Sequence, residues 1–173
     1  MKKIILSSFL LLAFVTVNAQ TVTLNVKLKP IQTLVVNPAQ NTVNLEYVTK
    51  DDYANGVASV NADHLTVYST GGFQVKVKAA DATMTNGTKS ILVNTIKLTP
   101  SAGSAKQDAA TYVPAFNLSN VDTTLMSSTT GGVNKKINIE YKGAGADAYI
   151  NNYIAGQIPT VYATTLTYTI ISQ

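Results

Sequence analysis

The chain contains no cysteine, no arginine and no tryptophan, and it has a single histidine, His64. Without cysteine no disulfide can form, so stability must come from apolar burial and from hydrogen bonds between strands. Enzymes that rely on cysteine or histidine chemistry, or on arginine to bind phosphate, would find few suitable residues here. The composition therefore predicts a protein that is not an enzyme and that holds no metal or cofactor.

The net charge is also small once the first residues are set aside. All thirteen basic residues are lysines, and Lys2 and Lys3 precede the long apolar run near the N-terminus. Their removal leaves eleven lysines against nine carboxylates, a nearly neutral balance. Nucleic-acid binding needs a pronounced basic surface, so we expect no nucleic-acid partner.

The first nineteen residues have the pattern of a signal peptide. A short basic start is followed by residues 4–17, which are almost entirely apolar, and Val17 and Ala19 are small residues at the positions that signal peptidase reads. This pattern predicts a signal peptide at 1–19 and a mature chain that begins at Gln20. The run is short for a membrane span, and no later segment is as hydrophobic. We expect an exported protein that is extracellular, on the cell surface or periplasmic, with no membrane span after cleavage.

Residues 20–173 alternate between apolar and polar residues in many short segments, a period that is typical of strands with one buried face. The predicted strands are residues 21–29, 31–36, 42–48, 65–68, 73–79, 91–98, 111–118, 133–142 and 162–173. The length suits one domain. The pattern predicts an all-β fold, a single antiparallel β-sandwich of Greek-key, Ig-like type with about eight to ten strands.

Several connections can be predicted from their turn residues. Gly71-Gly72 and Gly131-Gly132 mark tight turns between strands, and Pro100 is expected to end one. Residues 51–56 contain two aspartates and a glycine, but their spacing is incomplete for a calcium loop and predicts a solvated turn. His64 has no second histidine or cysteine near it, so we expect a surface or loop residue.

Four residues before the last predicted strand are candidates for sugar binding. Tyr149 and Tyr153 flank Asn151 and Asn152. Aromatic rings offer apolar contact to a saccharide, and amides can fix its hydroxyl groups. The alternative is that these tyrosines are buried, with their hydroxyl groups bonded inside the sandwich.

The end of the chain carries a more specific pattern. Residues 162–170 read YATTLTYTI, which resembles the C-terminal signature of WxL domains, Tyr-x-x-x-Leu-Thr-Trp-x-Leu, with Tyr168 in place of the tryptophan. The first WxL element of that family follows a glycine-containing turn, and residues 70–75 (TGGFQV) correspond to it, with Phe73 in place of the tryptophan.

The resemblance implies a secreted surface domain that associates non-covalently with the cell wall, where peptidoglycan is the usual partner of the family. It makes Phe73 and Tyr168 ligand-binding candidates. The pattern also looks like spore-coat-U and other pilus-subunit-like domains, in which a groove accepts a strand from a neighbour. We therefore expect a surface protein that binds cell-envelope or extracellular polysaccharide. The alternative is a structural subunit or adhesin that assembles with other surface proteins by strand exchange.

Overall fold

The computed structural model describes residues 19–173, so the predicted signal peptide, apart from Ala19, lies outside the described residues. The described chain forms eleven strands and one short α-helix. The strands are β1 (Gln32–Val36), β2 (Ala58–Ser69), β3 (Phe73–Ala79), β4 (Thr83–Asn86), β5 (Lys89–Leu92), β6 (Ile96–Ala102), β7 (Ala110–Tyr112), β8 (Phe116–Asn117), β9 (Thr123–Ser128), β10 (Gly132–Gly143) and β11 (Leu166–Ser172). The α-helix, α1, spans Lys50–Asn55, and 3-10 turns occupy Pro38–Gln40 and Val93–Thr95.

Two antiparallel sheets build the molecule. Sheet A has the strand order β1-β2-β10-β6-β8, and sheet B has the order β11-β3-β9-β7. Strands β4 and β5 form a separate hairpin. The predicted all-β sandwich is therefore confirmed.

The core lies between the two sheets and follows the alternation of the sequence. In β3, Phe73, Val75, Val77 and Ala79 are buried, while the residues between them are only partly buried. The other fully buried side chains come from both sheets and their connections, and the largest are Leu65, Val67, Val93, Leu98, Leu118, Leu125, Met126, Ile137 and Ile139.

The two glycine turns lie at one end of the sandwich. Gly71-Gly72 joins β2 of sheet A to β3 of sheet B, so this turn is a corner between sheets and not the hairpin that the sequence suggests. A Cβ atom on Gly131 would lie 2.4 Å from the carbonyl oxygen of Ser69. Glycine is needed at 131 because the two corners pack backbone against backbone.

Two local expectations are corrected. Residues 51–56 are not a simple turn, because Thr49 and Asp52 form a capping box that starts helix α1. Pro100 lies inside β6 and does not end it; β8 pairs with β6 only at Lys97 and Leu98, so the outer edge of β6 is open beyond them and tolerates proline.

Two long predicted strands are divided. Residues 91–98 contain the 3-10 turn Val93–Thr95, which separates β5 from β6. Residues 111–118 are interrupted around Pro114, so that β7 joins sheet B and β8 joins sheet A. A chain that passes from one sheet to the other must interrupt its backbone pairing. The apolar period of a sequence does not indicate which sheet a strand joins.

Two predicted strands have no ladder. Residues 21–29, which we call the leading segment, form no strand and make no hydrogen bond to any other described residue. Residues 42–48, the flanking segment, place Val43 and Leu45 half-buried against the core and Tyr47 against Tyr53 and Tyr149, yet they also belong to no sheet. Alternation supplies a face to bury, but a strand also needs a neighbour with free backbone groups.

Candidate functional site

The leading segment exposes a complete row of apolar side chains. Val22, Leu24, Val26 and Leu28 are between 79% and 91% exposed. The first hydrogen bond to the sandwich after this segment is made by Ile31, whose N–H donates to Thr70 Oγ1 at 3.0 Å. Isolated exposed apolar residues are common on protein surfaces, but four on one face of an alternating segment indicate a binding surface.

Sheet B has an open edge at β11. This strand pairs with β3 on one side and, among the described residues, with no strand on the other. Thr165 accepts a hydrogen bond from the Ala80 N–H, and the Gln173 N–H donates to the Gly72 carbonyl, both towards β3. Because successive residues of a strand direct their backbone groups to opposite sides, those of residues 166, 168, 170 and 172 point to the open edge.

The flanking segment borders the same edge. Strand β1, which precedes it, lies alongside β11. At the other end, the Tyr47 hydroxyl donates to the Ala144 carbonyl and the Tyr162 hydroxyl donates to the Asn152 carbonyl, so both borders reach the loop of residues 144–152. No hydrogen bond joins the backbone of residues 42–46, or that of residues 162–164, to another residue in the range 19–173. The sandwich therefore has unpaired backbone on both sides of the gap next to β11, in residues 42–46 on one side and in residues 162–164 on the other.

Behind the edge lies a buried row of hydrogen bonds centred on His64. The histidine is 2% exposed, so the expectation of a surface or loop residue is wrong. Its Nδ1–H donates to Gln40 Oε1 at 2.9 Å, which leaves Nε2 to accept from the Tyr141 hydroxyl at 2.8 Å. Tyr141 in turn contacts the Tyr168 hydroxyl on β11. The row thus connects the turn after β1 to the open-edge strand.

Burial sets the protonation of this row. It raises the pKa of the Tyr168 hydroxyl to about 12 and raises that of Tyr141 still further, so both remain donors. Burial also lowers the pKa of His64 below 6.5, and no charged side chain contributes to that shift. Neutral His64 is therefore the form that the fold stabilises.

We expect the protein to lose stability on mild acidification. Because the folded pKa of His64 lies below the unfolded value, its contribution is complete above pH 6.5 and is lost as the pH falls through the lowered pKa. Thermal unfolding at pH 7.5 and pH 5.0 measures the loss. His64→Gln cannot titrate and should show a smaller difference in Tm between the two pH values. An equal difference in both proteins would contradict this role for His64.

The two residues that correspond to the WxL tryptophans lie in different surroundings. Phe73 has no exposed surface and packs in the core. Tyr168 is half-buried, and its hydroxyl points inwards to Tyr141. In this structure Phe73 therefore offers no surface to a ligand, whereas Tyr168 belongs to the open edge.

The four sugar-binding candidates are only partly brought together. Tyr149 and Asn152 line a shallow cavity of about 190 Å³ with the β5 strand. Their polar atoms have partners inside the chain, since the Tyr149 hydroxyl bonds to Thr95 at 2.6 Å and the Asn152 amide donates to the Ser90 carbonyl at 2.8 Å. Asn151 and Tyr153 are exposed, and their carbonyls accept from Lys89.

A scan against protein-family models finds no match for this chain, and a search of curated proteins finds none either. The function must therefore be argued from the geometry. Within residues 19–173, no helix has both the length and the apolar character that a membrane crossing requires.

The sequence pattern predicted the leading segment as one more strand of the sandwich and did not indicate that it would be exposed and unpaired. The available signal was its position. An alternating segment that follows a predicted cleavage site and is closed by Pro30 would, after cleavage, be joined to the domain at one end. His64 and Tyr141 were missed as a pair because residues 77 positions apart carry no local signal of contact.

Proposed function

We propose that this protein is an exported, non-enzymatic structural subunit that joins other surface proteins by adding a strand to their sheets. The observation that carries the proposal is the exposed apolar row of the leading segment. Strand addition uses backbone hydrogen bonds for affinity and alternate side chains for specificity, and the leading segment supplies both. An unprotected segment of this kind is otherwise an aggregation hazard, which gives a reason for it to have a partner.

The apolar burial available to the leading segment is of the same order as the cost of association. Burial of four Val and Leu side chains contributes about 1.5 to 3 kcal/mol each, or about 6 to 12 kcal/mol together. The loss of translational and rotational freedom on association opposes this by an estimated 4 to 15 kcal/mol. Backbone hydrogen bonds to an open edge add to the favourable side, at about 0.5 to 1.5 kcal/mol each.

We expect Leu24→Asp to abolish assembly of the mature protein without changing its fold. A carboxylate in the middle of the apolar row would have to be buried without a partner in any sheet that received the segment. In the unassembled chain Leu24 is exposed, so at a concentration where neither protein assembles the Tm should stay within about 1 °C of the unsubstituted protein, because surface substitutions have small effects. Size-exclusion chromatography across a concentration series measures assembly.

The matched control is Thr23→Asp, which places the same charge on the opposite face of the same segment. This face is expected to remain in solvent after strand addition, so assembly should persist. Equal assembly by the Leu24 and Thr23 variants would contradict the proposal.

Polysaccharide binding is a second candidate, supported by the cavity that Tyr149 and Asn152 share and by the exposed ring of Tyr153. The WxL-like pattern points to peptidoglycan as the polymer. We expect retention of the mature protein on purified peptidoglycan to fall when Tyr153 is replaced by alanine. Retention that is absent, or unchanged by Tyr153→Ala, would count against this site.

A further inference from the structure

We infer that the open edge at β11 receives the leading segment of a second copy of this chain, antiparallel to β11, so that the protein forms chains of identical subunits. This inference rests on the proposed function and names its partner. Three observations carry it: the length of the edge, the match of its two faces to the leading segment, and the point where the segment joins the sandwich.

Of the sheet edges, the one at β11 offers the longest free backbone. The other edges of the two sheets are shorter, since β1, β7 and β8 have five, three and two residues, and short edges are poor templates for pairing. Strand β11 has seven residues, and the unpaired residues 162–164 extend the same edge. The buried hydroxyl of Thr164 also lacks a hydrogen-bond partner among the described residues. Strand β11, residues 162–164 and the hydroxyl of Thr164 all lie on the same side of the sandwich.

The inner side of this edge is apolar and incompletely covered. Leu166, Tyr168 and Ile170 on β11, and Val43 and Leu45 on the flanking segment, pack against the core but remain only half-buried. A strand added between these borders would direct every second side chain onto them. The apolar row of the leading segment has the required spacing of two residues and covers a similar length.

The outer face of sheet B is polar, and the leading segment would continue it. Thr167 lies opposite Lys78, and Thr169 lies opposite Lys76, on the outer face of β11 and β3. The outward residues of an added leading segment would be threonine, asparagine and lysine, the types already present on this face: Thr21, Thr23, Asn25, Lys27 and Lys29. Both faces of the segment therefore fit the sheet in one orientation.

The added strand is taken as antiparallel because every strand pair of sheet B is antiparallel and this pairing is the more stable one. The chain's own segment could reach the edge only in the parallel direction, and it makes no hydrogen bond there. A chain cannot supply the antiparallel strand to itself. Gln32 at the start of β1 pairs with Ser69, and Ser172 at the end of β11 pairs with Phe73, so both lie at the glycine corner. An antiparallel strand would begin at that corner and end at the far end of β11. Its residue 29 would then lie about 30 Å from Pro30, since nine residues extend about 3.3 Å each. Only another copy can provide the segment in this direction.

The test moves the leading segment to the other end of the chain. Residues 20–29 are removed from the N-terminus, and residues 22–29 are appended after Ser172 through an Asn-Gly turn that replaces Gln173 and favours a hairpin with β11. In this register Val22 lies opposite Ser172, so the apolar row faces inwards with Leu166, Tyr168 and Ile170. We expect a monomer at all concentrations, with a Tm about 10 °C or more above that of the chain lacking residues 20–29. Trypsin should cleave after Lys27 in the unassembled native chain, where this lysine is exposed, but not in the appended segment.

The matched control carries Leu24→Asp and Val26→Asp in the appended segment, and it should show neither the rise in Tm nor the protection. If the native chain assembles through its leading segment but the appended segment gives no protection, the acceptor is another surface and this inference is overturned while the proposed function stands. If the native chain neither assembles nor captures another surface protein through the segment, the proposed function itself fails. Protection that also occurs in the control would overturn the inference, because it would not depend on the apolar row.

Discussion

Val75→Asp is expected to leave the protein unfolded. Val75 is fully buried in β3, between β11 and β9 in sheet B, and its side chain points into the core between the sheets. An aspartate there would bury a carboxylate without a partner, at a cost of several kcal/mol. That cost is comparable to the whole stability of a domain, which is about 5 to 15 kcal/mol. Circular dichroism and thermal unfolding of the purified protein measure the loss.

Lys76→Asp is the control for this substitution. Lys76 is the next residue of the same strand and lies on the opposite, solvent-facing side. The same new side chain should change the free energy of unfolding by less than about 1 kcal/mol. If both variants lost the same stability, the assignment of the buried face of β3 would be wrong.

Removal of residues 166–173 is expected to give an insoluble protein. It deletes β11 and with it Leu166, Tyr168 and Ile170, each worth up to about 1.5 to 3 kcal/mol of burial. It also exposes the edge of β3 along its whole length, from Phe73 to Ala79, and an exposed edge promotes aggregation. The soluble fraction after expression, and the Tm of any soluble protein, measure the effect.

Removal of residues 20–29 provides the comparison, since it deletes a segment of similar length and alternation from the other end of the chain. That segment makes no hydrogen bond to another described residue and is exposed throughout, so its loss should leave solubility unchanged, and also the Tm measured at a concentration where the native chain is unassembled. Soluble, folded protein without β11 would show that this strand is not integral to the sandwich.

The sequence alone determined the class of fold and many strands of the core. The alternation in residues 73–79 and 133–142 coincides with β3 and β10 to within a residue at each end, and the last strand lies inside the predicted range 162–173. This succeeds because the period of a half-buried strand is a local property, set by side chains that point to alternate faces. Glycine and proline also act on the backbone locally, so they predict turns and strand ends. Pro100 is an exception, because it lies inside β6 where the outer edge of the strand is open.

Only the tertiary structure decided which alternating segments have partners. Residues 21–29 and 73–79 have the same apolar period, yet one is exposed and the other forms the centre of sheet B. Pairing depends on residues far away in the chain, as does the burial of His64 against Tyr141. A single sequence records the faces of its strands, whereas the neighbours of those faces depend on how the chain closes upon itself, and here one open edge and one unpaired segment are left over.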